Sequence, residues 1–436
     1  MNEILSVIKD INKLLWNGPM LLILLATHLF LTFRLKFIQK KIGKGIRLST
    51  KSDSGEEGET SSFAALTTTL AATLGIGNII GVSTAVAMGG PGAILWIWLT
   101  GVLGMATTYA ECYLGIQYRR IGKDGTYSGG PMYVLENGLH SKPLAVIYCF
   151  FTLAASYGVG CSTQSNSITD VTSNLWGFSP YLVGFITALF TGLVIIGGIK
   201  SIGNICTRLV PAMGFFYILA CLVILVLNYR YLLPAIQLIV RSAFLPSAMV
   251  GGFIGSTIKT AARYGIARGL FTNEAGIGTA AIAAASAKTD NPHNQALVSM
   301  SATFWDTVVM CGVTGLVIVS NILKNPLSAK GASASELTTI AFEQIPFGRY
   351  ILGLSIIAFA TATLIGWSYF GEKAVVYLFG KEGIGTYRIC YIVMIFIGAI
   401  LSLEFVWELS DLLNAFMIIP NVLSIWLLYR GIRCTE

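Results

Sequence analysis

The main deficit of this 436-residue sequence is charge. Asp, Glu, Lys and Arg make up only 11% of the residues and 54% are hydrophobic, whereas soluble proteins carry roughly 25% charged residues. No stretch is polar enough over sufficient length to form a soluble domain of useful size. Apolar runs of about 20 residues, enough to cross a hydrocarbon core of about 30 Å as a helix, recur along the whole chain. The composition therefore excludes a soluble protein and predicts an all-α polytopic membrane protein.

Metal-binding and catalytic side chains are also scarce. The three histidines are scattered, and the eight cysteines include no CxxC pair. This spacing supports neither a zinc site nor a disulfide framework. A membrane-embedded enzyme would need a nucleophile, a base or a metal cluster, and the pattern supplies none. We therefore expect a protein that is not an enzyme.

The apolar runs predict eleven membrane spans. The first lacks a small-residue cleavage site and continues into a basic stretch, so it is interpreted as a true span rather than a signal peptide. The apolar segment 229–261 contains Pro234 and Pro246 and is predicted to form an extracellular amphipathic hairpin or short helices. The predicted spans cover residues 14–33, 64–88, 91–115, 143–171, 180–198, 209–228, 262–286, 296–322, 349–379, 386–403 and 406–428.

Lys and Arg residues indicate the orientation, because cytoplasmic loops are enriched in them. With eleven spans, this rule places the N-terminus outside and the C-terminus in the cytoplasm. The net charge of +8 then faces the anionic inner leaflet and requires no nucleic-acid partner. The basic residues of the predicted cytoplasmic loops are Arg34, Lys36, Lys40, Lys41, Lys44, Arg47, Lys51, Arg119, Arg120, Lys123, Lys200, Arg208, Lys373, Lys381, Arg388, Arg430 and Arg433.

Two glycine-rich stretches interrupt predicted membrane helices. ATLGIGNIIG places Gly75 and Gly77 in the second span, and RGLFTNEAGIGTAA places Gly276 and Gly278 beside Glu274 in the seventh. Counted from residue 64, these are helices one and six of ten, so two repeats of five enter the membrane from opposite sides. Interrupted helices at corresponding positions of inverted halves indicate the midplane binding site of a secondary transporter. Unwound backbone at membrane depth is tolerated only where it lines a cavity or binds a ligand.

Other interpretations of the first glycine stretch are weaker. A dinucleotide-binding loop must follow a strand and open a helix, but apolar helix flanks this stretch on both sides. Close helix packing also uses small residues, yet it does not explain the buried Asn273 and Glu274 of the second stretch. An ion channel would need a continuous polar ring, whereas the intramembrane acids are few and scattered. In a transporter, freed amides would suit a carboxylate and freed carbonyls a sodium ion.

Six motifs carry a resemblance to a known family. In chain order they are GIGNIIGV, GGPGAILWIWLTGVLGMATTYAECYLGIQYR, SGGPMYVLENGL, RGLFTNEAGIGTAA, FWDT and LIGWSYFGEKAVVYLFG. Together they resemble the alanine or glycine:cation symporter family, and the match extends to LLNAFMIIPN. The resemblance implies a leucine-transporter-like fold with an N-terminal helix and a core of five plus five helices, of which core helices 1 and 6 are unwound at the midplane.

The same resemblance divides the chain into four segments. Residues 1–62 would form an N-terminal transmembrane helix and a basic cytoplasmic loop, and 63–228 the first five-helix repeat. Residues 229–261 would be the extracellular amphipathic segment, and 262–436 the second repeat.

The implied function is sodium-coupled uptake of a small neutral amino acid, alanine or glycine, by a monomer in the inner membrane of a prokaryote. Two alternatives stay open, namely another small amino acid as substrate and coupling to protons.

The resemblance also implies site residues. Backbone amides of the first break and the Asn78 side chain would hold the substrate carboxylate, and Trp367 would cap the side-chain end. Sodium would bind the carbonyls of Ala71 and Leu74 and the hydroxyl of Thr363, with Thr361 as a weaker candidate, since oxygen ligands suit a hard cation. The full set of implied substrate-binding residues is Gly75, Ile76, Gly77, Asn78, Gln164, Phe271, Gly276, Ile277 and Trp367.

Position 76 departs from the family pattern. The family usually has Thr where this chain has Ile76, which removes a hydroxyl near the pocket and leaves the choice of substrate open.

The acidic residues within or at the ends of predicted spans are interpreted first as structural groups. Glu274 is interpreted as a carboxylate that ties loose amides of the broken helix, with direct substrate contact as the alternative. Glu111 is predicted to pair with Arg119 and Arg120, with a gating role as the alternative. Asp306 and Asp411 are interpreted as interhelical hydrogen-bonding groups.

Overall fold

A computed structural model of the chain describes residues 2–16, 18–51, 58–122, 125–245, 257–327 and 336–433. Helices dominate this part of the chain. They are α1 (Asn2–Trp16), α2 (Pro19–Arg34), α3 (Ile42–Ser49), α4 (Ser62–Thr73), α5 (Ile80–Gly89), α6 (Ala93–Gln117), α7 (Pro131–Tyr133), α8 (Lys142–Tyr157), α9 (Thr163–Trp176), α10 (Pro180–Ile196), α11 (Gly198–Leu227), α12 (Tyr229–Phe244), α13 (Ile258–Asn273), α14 (Thr279–Ala284), α15 (Pro292–Thr303), α16 (Gly312–Lys324), α17 (Leu337–Phe342), α18 (Gly348–Phe379), α19 (Gly383–Ile400) and α20 (Leu403–Leu428).

Shorter elements connect or interrupt these helices. Strands β1 (Arg120–Ile121) and β2 (Tyr127–Ser128) form an antiparallel pair. Three 3₁₀ turns cover Ile38–Lys41, Ile76–Asn78 and Tyr429–Gly431, and three π-helical turns cover Val134–Gly138, Gly158–Ser162 and Phe304–Cys311. π-Helical turns inside helices often mark functional sites, and two of these three lie next to candidate site residues.

Nine of the eleven predicted spans coincide with candidate membrane-crossing helices when the bent pair counts as one. Within the described residues, eight helical stretches are long and apolar enough to cross a membrane, or nine when the bent pair α4 and α5 counts as one span. The two remaining predicted spans fall on α10, which has 17 residues, and on α13 with α14, which a break separates. The total of eleven therefore stays a prediction.

The N-terminal helical stretch begins earlier than predicted. The span predicted over 14–33 falls within Glu3–Arg34, which counts as one candidate span and consists of α1 and α2. The polar side of α1 contacts the start of α20, where Lys9 forms an ion pair with Glu404 and Asn12 Nδ2 donates to Glu408 Oε2 over 2.7 Å. The charged residues of α1 break the apolar run, and for that reason hydropathy alone did not reveal this helix.

The segment predicted as a hairpin or short helices, 229–261, contains α12 and the first residues of α13 in its described part. Helix α12 passes through Pro234 without ending and packs against α16. Pro246 lies outside the described residues, and the extracellular placement of the segment stays a prediction.

Helices α6 and α18 form the centre of the molecule. Helix α6 packs against α2, α13 and α15, and α18 packs against α4, α8, α9 and α11. Small residues allow these close contacts, because a Cβ atom on Gly115 would lie 2.9 Å from Ala281 Cβ and one on Gly366 would lie 2.8 Å from the Ala72 amide nitrogen. Small residues at helix interfaces let backbones approach in this way. Both broken helices are thereby held against a continuous one.

Candidate functional site

The first helix break follows α4. Leu74 N makes the last regular bond of this helix, to Leu70 O, whereas Gly75 N donates to Thr73 O over 2.8 Å and to Asn78 Oδ1 over 3.1 Å. A 3₁₀ turn follows, and α4 and the helical segment after the break are bent by 61°. The chain therefore bends at the predicted position, and the Asn78 side chain caps the turn.

Asn78 is also bound on its other side. Its Nδ2 donates to Asp306 Oδ1 over 2.7 Å and to the Asp306 carbonyl over 3.1 Å. Asp306 lies in the π-helical turn before α16 and accepts a further hydrogen bond from the Thr307 hydroxyl. Asp306 thus has the interhelical hydrogen-bonding role expected from the sequence. The Asn78 side chain is engaged within the protein, so it shapes the break instead of presenting a free amide to a substrate carboxylate.

The second break separates α13 from α14. Glu274, Gly276 and Gly278 all have left-handed backbone conformations, with φ values of 53°, 100° and 95°. Glycine adopts such values without the steric penalty that a Cβ atom brings. The two glycines therefore permit a turn at which a regular helix stops and a short one begins.

Glu111 holds this second break, contrary to its predicted pairing. Its Oε1 accepts from Gly276 N over 3.1 Å, and its Oε2 accepts from Asn421 Nδ2 over 2.7 Å. Arg119 donates instead to backbone carbonyls that follow α14, and Arg120 contacts Asn137. The interpretation of Glu111 as a partner of the two arginines is wrong, because Glu111 lies on the buried face of α6.

Asn421 is a site residue that the sequence interpretation missed. It belongs to α20, and its Nδ2 also donates to the Gly276 carbonyl over 2.8 Å. One side chain therefore binds both the carboxylate of Glu111 and the broken backbone. The motif LLNAFMIIPN contains Asn421, but nothing in its spacing indicates a partner 145 residues away.

Glu274 links the second break to α18. Its Oε2 accepts from the Thr279 hydroxyl over 2.5 Å, and its Oε1 accepts from Trp367 Nε1 over 3.1 Å. Both carboxyl oxygens are thus engaged by side chains, whereas the sequence interpretation expected loose amides as donors. Trp367 is fully buried, so this bond fixes the ring against the break.

A third group of contacts connects α18 with the first break. A Cβ atom on Gly75 would lie 2.9 Å from Thr363 Oγ1 and 3.6 Å from Gln164 Oε1, and one on Gly160 would lie 2.3 Å from Trp367 Cβ. Thr363 and Trp367 are one turn apart and share a face of α18. Two of the predicted site residues, Gln164 and Thr363, therefore adjoin a third, Gly75, at the first break, and Trp367 lies one turn along α18 from Thr363 and contacts the second break through Glu274.

Gln164 offers a polar atom to this region. Its Nε2 donates to Val159 O over 3.2 Å within the helix. Its Oε1 is buried and has no hydrogen-bond partner among the described residues. A buried acceptor normally has a partner, so Gln164 Oε1 is a candidate acceptor for a ligand.

The remaining predicted substrate residues divide into two groups. Gly77 adjoins Phe271, since a Cβ atom on the glycine would lie 3.5 Å from Phe271 Cδ1, and Ile76 is fully buried. In the second group, backbone atoms of Gly276 and Ile277 already have partners within the protein. Gly276 N donates to Glu111 Oε1, and the carbonyl of Ile277 accepts from the Tyr148 hydroxyl.

The predicted sodium ligands lie around the end of α4. Because Gly75 N turns to Thr73, the Ala71 carbonyl does not receive the amide that a continuous helix would supply. Thr363 Oγ1 lies next to Gly75 and donates to Phe359 O, which leaves its lone pairs available. Thr361 is two residues earlier and points about 200° away around α18. The geometry favours Thr363 over Thr361.

One end of the site is closed by contacts between the segments that flank the broken helices. Glu59 N donates to Ser286 O over 3.0 Å, and Lys288 N donates to Thr60 O over 2.7 Å. The Glu59 carboxylate lies 3.6 Å from Lys373 Nζ. The chain before α4 and the chain after α14 are thus joined on the side that the basic loops predict to be cytoplasmic.

Comparisons with known proteins agree over the whole chain. A profile of the sodium:alanine symporter family matches residues 1–434. The sodium/alanine symporter AgcS of Methanococcus maripaludis is 46% identical over 442 residues, covering 100% of this chain and 96% of the relative. The probable sodium/glutamine symporter GlnT of Bacillus subtilis is 32% identical, with 99% and 90% covered. The putative sodium/proton-dependent alanine carrier protein YrbD of the same species is also 32% identical, with 97% and 90% covered.

The fold has a match among solved structures. The crystal structure of MhsT in complex with L-phenylalanine superimposes with a TM-score of 0.62 at 17% identity and covers 87% of this chain and 91% of MhsT. This similarity confirms the leucine-transporter-like fold. The relatives are transporters, so the chain performs cation-coupled amino-acid symport and is not an enzyme. It belongs to the sodium:alanine symporter family.

Proposed function

We propose that this protein couples sodium entry to the uptake of a small neutral amino acid, alanine or glycine, by alternating access. The observation that carries the proposal is that Gln164 and Thr363 adjoin Gly75 at the first helix break, while Trp367, on the same face of α18 as Thr363, contacts the second break through Glu274. A site at that place can be exposed to either side when the broken helices move. A site between two broken helices therefore fits alternating-access transport better than a fixed pore.

Sodium is the proposed cation because the candidate ligands are all oxygens. The carbonyls of Ala71 and Leu74 and the hydroxyl of Thr363 would bind it beside Gly75. Neutral oxygen ligands suit a hard cation, whereas a proton carrier needs a group that takes up and releases a proton. Sodium at this position would stabilise the unwound end of α4.

The substrate is proposed to lie between the breaks. Gln164 Oε1, which is buried and has no partner among the described residues, would accept from the ammonium group. Backbone amides around Gly77 would bind the carboxylate, and Asn78 would keep those amides in place through its bond to Gly75. Ile76 and Trp367 are bulky and buried, so the space for a side chain is small.

The expected setting follows the family. The chain is proposed to act as a monomer in the inner membrane of a prokaryote, with its N-terminus outside and its C-terminus in the cytoplasm. A reporter domain fused after the last residue tests the orientation, because only a cytoplasmic C-terminus protects it from protease added to intact cells.

Uptake into proteoliposomes tests the function directly. Labelled alanine, glycine and glutamine are each offered with an inward sodium gradient, with an inward proton gradient, and with neither. We expect alanine or glycine to accumulate above its outside concentration only with sodium. Accumulation driven equally well by protons would contradict sodium coupling, and preferential accumulation of glutamine would contradict a small pocket. Equilibration without accumulation would indicate a channel.

A matched pair of variants connects the uptake to the site. Gln164→Ala removes the proposed ammonium acceptor. The control is Gln39→Ala, in the 3₁₀ turn that follows α2, where Gln39 Nε2 donates to Thr32 Oγ1. Only the first is expected to raise the KM for alanine.

A further inference from the structure

His28 lies in the N-terminal helix α2, outside the predicted five-plus-five core. It is fully buried, and its Nδ1 is 2.7 Å from Thr107 Oγ1 on α6. Its other ring nitrogen, Nε2, is buried and has no hydrogen-bond partner among the described residues. When Nδ1 carries the proton toward Thr107, Nε2 is an acceptor.

Asn273, the last residue of α13, has a matching donor. Its Oδ1 accepts from Ala275 N over 3.0 Å, which orients the amide. Its Nδ2 is buried and likewise has no partner in the described part of the chain. A histidine acceptor and an asparagine donor are thus both available beside the second break.

Gly104 brings these two atoms to the same place. A Cβ atom built on this glycine of α6 would lie 3.6 Å from Asn273 Nδ2 and 3.7 Å from His28 Nε2. The two nitrogens therefore approach the same point beside Gly104, together with Ala275 Cβ at 3.3 Å, and the missing side chain of Gly104 leaves this point open.

The neighbours of His28 also contact the break. Leu24 lies one turn before His28, and a Cβ atom on Gly276 would be 2.5 Å from Leu24 Cδ2. Glu111 lies two turns after Gly104 on α6 and accepts from Gly276 N. Helices α2 and α6 thus both contact the broken segment at Gly276.

We propose that one buried water molecule bridges His28 Nε2 and Asn273 Nδ2, and that His28 is a positioning residue for the second helix break. A water at this point accepts from the asparagine amide and donates to the imidazole, so both orphan groups gain a partner. Buried waters make about three hydrogen bonds to such groups. Through this bridge, the accessory helix α2 fixes the end of α13 and hence the geometry of the substrate site.

The inference rests on the proposed function, since its main readout is alanine uptake. A double-mutant cycle tests the bridge: His28→Leu, Asn273→Ala and the double variant are compared with wild type in proteoliposomes. Each single variant is expected to raise the KM for alanine about tenfold, the effect of one buried polar group left without a partner. The double variant is expected to be no worse than the poorer single variant, because both changes remove the same bridge.

Two further variants separate positioning from simple packing. His28→Gln supplies an uncharged acceptor at similar length and is expected to restore the KM to within about threefold of wild type. Gly104→Ala fills the space for the water, and it should resemble His28→Leu without adding to it. Leu29→Ala, on the exposed side of the same helix, is the control and should leave the KM unchanged.

Several outcomes overturn the bridge. If the two single-variant increases in KM multiply in the double variant, His28 and Asn273 act independently. The same conclusion follows if the KM of His28→Gln is no lower than that of His28→Leu. If a variant is too unstable for uptake, the same cycle is measured by thermal unfolding in detergent, where additive shifts in Tm contradict the bridge. A wild type that accumulates neither alanine nor glycine refutes the proposed function, whereas additive variants of an active wild type refute only the inference.

Discussion

Replacing Glu111 by Gln tests whether the second helix break is held by a carboxylate. In the structure, one oxygen of Glu111 accepts from Gly276 N and the other from Asn421 Nδ2. Glu111→Gln keeps the size of the side chain but turns one oxygen into an NH₂ group. In either orientation of the new amide, its NH₂ group faces a donor, Gly276 N or Asn421 Nδ2, so one of the two hydrogen bonds is lost.

The size of the effect follows from this loss. A hydrogen bond to a charged group contributes about 1.5–3 kcal/mol, and each 1.4 kcal/mol corresponds to about a tenfold change in an equilibrium constant. If the break must keep its geometry to bind substrate, the KM for alanine should rise roughly 10- to 150-fold. Vmax should fall less, since the site is distorted in the bound state and not removed.

The assay is sodium-driven alanine uptake in proteoliposomes, with the Tm measured in detergent with and without alanine. Glu136→Gln is the matched control, because Glu136 is half-buried and accepts from the Tyr377 hydroxyl away from the breaks. A wild-type KM and a full alanine-induced rise in Tm for Glu111→Gln would refute the reasoning. Asn421→Ala should resemble Glu111→Gln, because it removes the other half of the same contact.

Three further changes probe the rest of the site. Thr363→Ala should raise the sodium concentration for half-maximal uptake about tenfold, and Thr361→Ala should leave it unchanged. The reason is that only Thr363 adjoins Gly75 and that coupling is reciprocal. Equal effects of the two variants in a sodium titration would contradict the ligand assignment. Gly77→Val should abolish the alanine-induced rise in Tm because a Cβ atom there would lie 2.7 Å from a neighbouring methyl group. Gly81→Val should retain it, because the nearest atom to a Cβ there, Arg268 Cδ, is 4.0 Å away. Trp367→Leu should lower the inhibition constants of larger competitors such as leucine and methionine at least tenfold. Loss of alanine uptake without a new competitor would mean that Trp367 serves helix packing.

Local sequence pattern was sufficient for the two breaks. Glycines within apolar runs indicated where each helix stops, and the structure has a 3₁₀ turn at the first and left-handed residues at the second. These features are local, since they depend on the conformations that Gly75, Gly276 and their neighbours can adopt. Gln164 and Trp367 came instead from motif resemblance, and their contacts could not be derived from spacing.

Long-range pairings were the part that the sequence could not supply. Glu111 had basic residues about two turns away in the chain, and proximity in sequence favoured them over Gly276, which is 165 residues distant. Asn421 and Leu24 lie near opposite ends of the chain, yet both lie against Gly276 in the second break. Such contacts depend on how helices pack in three dimensions, and no periodicity within one helix encodes them.

The acids around the breaks bear on why the symport needs a cation. Glu111, Glu274 and Asp306 each accept hydrogen bonds on both carboxyl oxygens, and no ion pair joins any of them to Lys, Arg or His within the described residues. A buried acid in a membrane is costly unless a proton or a bound cation compensates it.

A zwitterionic amino acid brings no net charge to this site, so the coupled cation carries charge across the membrane. One charge moving through 100 mV changes the free energy by about 2.3 kcal/mol, or roughly 50-fold in accumulation. An inside-negative potassium diffusion potential should therefore raise alanine accumulation at constant sodium. Accumulation that is unchanged by the potential would mean that a compensating charge moves with the substrate, and the acids around the breaks would then be the first groups to test.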